Sequence, residues 1–312
     1  MRQKDPILDS IGNTPLVELR NLSPKPGVRM YAKLEGMNPS GSIKDRIAKY
    51  MIEDAEDRGF LKPGMTIVEA STGNTGIALS LVGRRKGYEV VVVVPGNAIP
   101  EIKELLQAHG AKVIWGPPDQ GTSGARRLAQ TLASQNDWYM LDQFGNPANI
   151  KAHYETTGVE ILQDLPDVDV FVAGLGTGGT VTGVGRRLKE HNPEVKVVAV
   201  EPHQGSLIQG IKSLDDGFIP PILDLTVLDA KYLVYAKEAF EWTREIAHQE
   251  GIFTGLSSGA VLKGAMRWAQ EHMDQGNIVV LFADSGWKYL STGVWSAPKE
   301  EAWEDLDDIL WW

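Results

Sequence analysis

TIVEASTGNTGIALSLVGRRKGYEVVVVV, running from Thr66 to Val94, decides the fold class. Two β-branched runs, Thr66–Ala70 and Glu89–Val94, bracket a glycine-rich turn, STGNTG, and a helical stretch beginning near Ile77. A short apolar strand, a glycine-containing loop, a helix and a second apolar strand are the grammar of a βαβ unit. The second run carries no polar alternation, so a strand there has no wet face. Such strands belong in parallel sheets covered by helices on both sides.

The same grammar recurs outward from this stretch. Lys112–Trp115, Asp169–Ala173, Lys196–Val200 and Asn277–Phe282 read as further strands. Ile43–Arg58 reads as a helix, because Ile43, Ile47, Met51 and Ala55 recur every four residues on one face, with Ser42 placed as its N-cap. Pro100–His109, Gly121–Ser134, Ala236–Gln249 and Ala260–His272 read in the same way. The expected class is therefore α/β with mostly parallel sheets. Between His203 and Asp229 the alternation breaks into a segment rich in Gly, Pro and Asp, which reads as a long functional loop.

With 312 residues the chain exceeds the size of a single growing core, so two domains are expected. Hydrophobic residues make up 42% and charged residues 23%, the balance of an ordinary globular protein. A net charge of −10 repels phosphate on average, which argues against a nucleic-acid or anionic-membrane partner. No apolar run approaches a membrane span and the N-terminus has no secretory core, so a cytoplasmic location is expected. There is no cysteine, which removes disulfides, thiolate nucleophiles and cysteine zinc sites; the six histidines show no metal-binding spacing, and no metal is expected.

Four glycine-rich turns carry the chemistry. NPSGSIKDR, Asn38 to Arg46, sets Lys44 just inside a helix start, where the positive end of the helix dipole favours the neutral, nucleophilic amine. A carbonyl-bearing cofactor can exploit such an amine. STGNTG, Ser71 to Gly76, gathers backbone N–H groups, small hydroxyls and an amide at a strand end, which suits a carboxylate, although plain turn chemistry explains it equally.

GLGTGGT, Gly174 to Thr180, satisfies GxGxxG, and Glu201 closes the next strand where a ribose-binding acid would stand. An NAD-dependent oxidoreductase is therefore a competing reading. Against it, the fingerprint follows earlier strands instead of the first, and a smaller phosphate needs only the amides and threonine hydroxyls. GLSSG, Gly255 to Gly259, mimics the nucleophile elbow of a hydrolase. Glu271 is the only acid between that serine and the one later histidine, His272, so Ser257 reads as a ligand at a helix start.

Taken together, IGNTPLVEL, NPSGSIKDR, STGNTG, DQFGNPAN, GLGTGGT and GLSSGA, in order from Ile11 to Ala260, resemble the cysteine synthase family of pyridoxal-phosphate enzymes. DSGWKYLST and the acidic tail ending in aromatics are most similar to the cysteine synthase B type, especially the branch that uses O-phosphoserine. The resemblance implies fold type II, two three-layer α/β domains like the tryptophan synthase β chain. It places a smaller inserted domain at 37–142, a larger cofactor-binding domain at 1–36 and 143–312, and the cofactor in the cleft between them.

It also implies roles. Lys44 matches the lysine that binds the cofactor's aldehyde and then serves as catalytic base. Asn74 matches the amide bonded to the ring oxygen, and Ser257 the hydroxyl facing the pyridine nitrogen. Gly176, Thr177, Gly178, Gly179 and Thr180 match the phosphate cradle. Ser71, Thr72, Thr75 and Gln143 match the groups that hold the substrate carboxylate.

The family more often has TSGNTG where this chain has STGNTG, an exchange that keeps similar donors. Lys212 stands where the phosphoserine branch carries arginine, which keeps the charge and loses the bidentate fork, so Lys212 is a candidate selector of the leaving group. The implied activity is cysteine synthesis, a transferase reaction by β-replacement on O-acetylserine or O-phosphoserine, with sulfide, thiosulfate or a sulfur-carrier protein as donor. Serine dehydratase, threonine synthase and cystathionine synthase share the cofactor chemistry. A homodimer is implied by resemblance alone. In the tail, Trp303, Leu306 and Leu310 form an apolar stripe read as packing on its own domain, while Trp311 and Trp312 could cover the site mouth.

Overall fold

The computed structural model describes residues 5–95, 100–117 and 120–296, which form two compact units. The described parts of Met1–Gly12 and Asn38–Asn149 make the first; Asn13–Met37 and the described part of Ile150–Leu310 make the second. Both are α/β and mostly parallel, as the apolar strand runs require. Among the described residues no helix is long and apolar enough to cross a membrane.

In the second unit, strands β1 (Leu16–Glu18) and β2 (Val28–Leu34) pair antiparallel. The first unit supplies β3 (Thr66–Ala70), β4 (Glu89–Val94), β5 (Lys112–Trp115) and β6 (Tyr139–Met140), joined in the order β5-β4-β3-β6 with every pairing parallel. One face of this sheet is built from Val68, Ala70, Val91 and Val93 against Ala125 and Ala129 of the helix Gly121–Asn136. Each fully buried valine of this kind contributes about 1.5–3 kcal/mol relative to exposure. The N-terminal helix Pro6–Asp9 stands with this unit, tied by Lys49 Nζ donating to Leu8 O at 2.9 Å and by the Arg85–Asp5 ion pair at 2.9 Å.

The second sheet continues with β7 (Val170–Gly174), β8 (Lys196–Pro202), β9 (Ala230–Val234) and β10 (Gly276–Phe282), in the order β1-β2-β10-β7-β8-β9. Apart from β1, all its pairings are parallel. β7, β8 and β10 are buried along nearly their whole length, which is why their sequences read as unbroken apolar runs.

β2 escapes a sequence reading because Arg29 and Lys33 interrupt its pattern. Lys33 is nevertheless fully buried: its Nζ meets Glu160 Oε2 at 2.9 Å and donates to Thr14 O at 2.6 Å. Glu160 Oε1 accepts from Asn13 N–H at 3.0 Å, and the Thr14 hydroxyl donates to buried Glu35 at 2.7 Å. The IGNTPLVEL stretch is thus the clamp over a buried charge cluster.

Candidate active site

In the first unit the turn from Asn38 to Ser42 delivers Lys44 as the first residue of the helix Lys44–Asp57. Gly41 N–H closes the turn on Asn38 O at 2.8 Å, and the Asn38 side chain accepts from Gly12 N–H at 2.9 Å. Ser40 N–H donates to Asp45 Oδ2 at 2.7 Å, so the helix's second residue ties back to the loop. Ser42 Oγ accepts from Lys44 N–H at 3.3 Å, the bond expected of a capping serine, although Ile43 stands between it and the first helical residue. Asp45 and Arg46 are locked into the interior while Lys44 is only half-buried, so the local fold fixes the backbone of Lys44 from both sides.

β3 ends directly on Ser71. The Ser71 hydroxyl oxygen accepts from Gly73 N–H at 3.1 Å and from Gly76 N–H at 2.9 Å, bracing the turn from inside and leaving only its proton to offer a ligand. Thr72 and Asn74 are half-buried, and Asn74 opens the helix Asn74–Arg85, whose first turn holds no acidic residue. The buried Thr75 hydroxyl donates to Gln143 Oε1 at 2.7 Å, and Asn149 Nδ2 fixes the backbone of Gln143 through its carbonyl at 2.8 Å. Thr75 and Gln143 are thus brought together. With the N–H groups of a helix start beside them, they form a site suited to a carboxylate.

In the second unit β7 runs into Gly174–Thr180 and the helix Gly179–His191. Gly178 adopts φ +83°, and a Cβ there would stand 2.7 Å from the Leu223 Cβ. Glycine lets the backbone turn its amides outward at a helix N-terminus whose first turn has no acid. Thr177 Oγ1 accepts from Gly179 N–H at 3.3 Å, and Thr180 Oγ1 lies 3.2 Å from His153 Nε2. Backbone N–H groups and two hydroxyls at a helix start form a cradle for a phosphate-sized anion.

Ser257 is buried in the first turn of the helix Leu256–His272. A Cβ at Gly210 would lie 3.8 Å from its hydroxyl oxygen, and a Cβ at Gly176 would lie 2.8 Å from Gly210 O. The loop around Gly210 therefore sits between Ser257 and the glycine turn. Lys212 donates its N–H to Leu175 O at 2.8 Å; its side chain is half-buried, and loss of solvent pushes its amine below the usual lysine range, opposed by Asp216.

Glu201 argues against the dinucleotide reading. It is fully buried, accepts from Leu214 N–H at 3.0 Å and pairs with Lys231 at 2.6 Å, so its carboxylate serves the interior and presents nothing to a ribose. Sequence reasoning also missed His153, buried between Thr180 and Thr157, whose hydroxyl lies 3.1 Å from Nδ1. No spacing signals it, because a single wide helical turn at His153–Thr157 makes the contact. Trp303, Leu306, Leu310, Trp311 and Trp312 lie outside the described residues.

Comparison with known proteins accords with this geometry. Residues 7–284 match the family model described as pyridoxal-phosphate dependent enzyme. Cysteine synthase B of Escherichia coli is 43% identical over 286 residues, covering 91% of this chain and 94% of the relative. The crystal structure of O-ureido-L-serine synthase superposes with TM-score 0.89 at 37% identity, over 96% of this chain and 98% of that one. The cysteine synthase of Entamoeba histolytica superposes with TM-score 0.87 at 34% identity, over 99% and 96%. With a family match over most of its length and relatives of this identity, the chain belongs to the pyridoxal-phosphate dependent enzymes, within the cysteine synthase family.

Proposed function

We propose that this chain makes cysteine by pyridoxal-phosphate-dependent β-replacement, taking O-acetylserine or O-phosphoserine as the amino-acid substrate and sulfide or a carried sulfur as the nucleophile. Two anion sites of different build carry the reading. The Thr75–Gln143 pair suits a carboxylate, and the amides and hydroxyls from Gly176 to Thr180 suit a phosphate. An amino acid reacting with this cofactor presents one anion of each kind, so the donor sets fit the group the family implies.

When bound, pyridoxal phosphate supplies an electron sink that acidifies the α-proton of an amino acid. The residues of this chain do the rest. Lys44 would hold the cofactor through its aldehyde, and its amine would take and return the proton at Cα. Asn74 would orient the ring through its oxygen, and the neutral hydroxyl of Ser257 would leave the ring nitrogen without a proton. Thr72, Thr75, Gln143 and the Ser71 hydroxyl orient the substrate carboxylate. Lys212, half-buried and displaced from the usual lysine range, reads the departing acetate or phosphate.

A homodimer, a protein sulfur carrier and a cytoplasmic setting complete the proposal by family likeness. The decisive experiment is direct. The expected result is a yellow purified protein whose visible band borohydride removes, and a Lys44→Ala variant without cysteine synthesis. Pairing each serine ester with sulfide, thiosulfate and a carrier protein then identifies the substrates. A colourless protein, or a Lys44→Ala variant with undiminished cysteine synthesis, would falsify the reading.

A further inference from the structure

β3 and β6 pair at Ile67↔Tyr139 and Val68↔Met140, and the register ends there. Where the two strands part, Glu69 on β3 and Asp142 beyond β6 carry the only acids of their short segments, Thr66–Ala70 and Tyr139–Gln143. Glu69 is 1% exposed. Its Oε1 accepts from the N–H of its neighbour Ala70 at 3.2 Å, and its Oε2 is buried with no hydrogen-bond partner among the described residues. Asp142 stands in the left-handed region at φ +51°, a conformation costly for a residue with a side chain. Arg126 Nη2 holds both its carboxylate oxygens, at 3.0 and 3.1 Å, and its carbonyl accepts from Gly145 and Asn146 N–H groups at 3.0 Å each.

Both segments lead straight into the carboxylate site. Ser71 follows Glu69 by two residues, and Gln143 follows Asp142 directly. We propose that Glu69 is a positioning residue for the substrate: its carboxyl, buried where β3 and β6 part, lets the end of β3 and the Asp142 turn stand close enough for Thr75 to meet Gln143. The inference rests on the reading of the Thr75–Gln143 site as the carboxylate subsite.

The surroundings of Glu69 support a carboxyl that carries its proton at neutral pH. Burial first, then the charge of Asp142, push it up to about 8, opposed by the N–H groups of Ala70 and Asp142 and by Arg126. Among the described residues, the charged groups acting on it are Asp142 from the segment after β6 and Arg126 from the helix Gly121–Asn136; β4 opposes it with Val92, and the register with β6 has ended one residue earlier, at Val68↔Met140. As the pH rises through that value, Glu69 ionises beside Asp142 and the two carboxylates repel. The Asp142 turn is then driven outward, and Gln143 moves with it.

The experiment follows the affinity of the holoenzyme for L-serine, read from the cofactor's absorbance, between pH 6.5 and 9.5. L-Serine carries the same carboxylate as the activated substrates without their leaving group. In the wild type the dissociation constant rises by about tenfold per unit of pH above Glu69's ionisation, beyond the change due to serine's own amine. Glu69→Gln mimics the uncharged acid, so its affinity at pH 7 stays within about twofold of wild type and this extra alkaline weakening disappears. Parallel pH profiles in the two proteins overturn the proposal. Should Glu69→Gln fail to fold, Asp142→Asn removes the repulsion from the other side, and a profile left as steep as wild type overturns it equally. Thr75→Val separates the two levels of the argument: unchanged serine affinity in that variant removes the carboxylate-site reading itself, whereas weakened affinity with parallel Glu69→Gln profiles removes only the role of Glu69.

Discussion

The Thr75 hydroxyl donates to Gln143 Oε1 at 2.7 Å, joining residues 68 positions apart in the sequence. Both side chains are buried, so neither can turn to water if the other is lost. Thr75→Val keeps the shape and leaves the Gln143 acceptor unpaired, at a cost of about 1–3 kcal/mol. Steady-state kinetics should show the loss mainly as a raised KM for the serine ester, with KM for the sulfur donor nearly unchanged. An unaltered ester KM would separate this pair from substrate binding.

Gly178 stands at φ +83° with the Leu223 side chain behind it. Gly178→Ala places a Cβ in a region that costs roughly 1–2 kcal/mol for an L-residue and drives it against Leu223. The expected outcome is a folded protein that retains its cofactor about tenfold less well. Dialysis against cofactor-free buffer, followed by the visible spectrum, measures this, with circular dichroism as the control for folding.

Leu223 is itself held in place by its neighbour. Asp224 N–H donates to Thr182 Oγ1 at 3.1 Å, and the Asp224 carboxylate meets Arg186 at 2.6 Å. Hydrogen bonds from Thr226, then Arg186, hold the Asp224 carboxyl below its ordinary value of 3.8. A depressed carboxylate stabilises the fold above its unfolded pKa, and that stability is lost as pH falls through the folded value. Asp224→Asn should therefore be less stable than wild type at neutral pH, with the gap closing as acid protonates Asp224 in the wild type. Urea midpoints at a series of pH values test this; a gap of constant size would show that the charge contributes nothing.

Glu160 compensates the fully buried ammonium of Lys33 at 2.9 Å. Glu160→Gln leaves that charge without its nearest counter-ion and should destabilise the chain by about 3–5 kcal/mol. The double variant Lys33→Met, Glu160→Gln removes both charges and should recover much of the loss. Chemical denaturation of the two variants decides between a costly unpaired charge and a mere loss of packing.

The strands that carry the site were legible for a simple reason. β3, β4 and β5 fall on the residues their β-branched runs indicate; β4 and most of β3 are buried, where apolar side chains are favoured, while β5 is only partly covered and is marked by its β-branched residues alone. β7, β8 and β10 begin or end within two residues of the runs read from sequence, and the helix after STGNTG starts at Asn74, before the expected Ile77. Its glycine and amide continue the turn directly into helix, so hydrophobic periodicity alone placed the start too late.

β2, β6 and β9 carried weaker signals. β2 holds a buried charge that Glu160 and the Thr14 carbonyl make tolerable, and the two-residue β6 is shorter than any periodicity. The Glu201 carboxylate looked like a ribose ligand in sequence because its burial against Lys231 is a tertiary fact.

By itself, then, the chain's order of residues determined the α/β class, a helix starting within one residue of Lys44 and the glycine turns at 71–76 and 174–180, since these depend on local sterics and on short-range apolar patterning. Only the tertiary structure decided that Thr75 meets Gln143, that His153 stands beside Thr180, and that Glu69 lies buried near Asp142. Those relationships arise where strands and helices distant in sequence pack together, and solvent exclusion, which sets their energies, is a property of the folded chain alone.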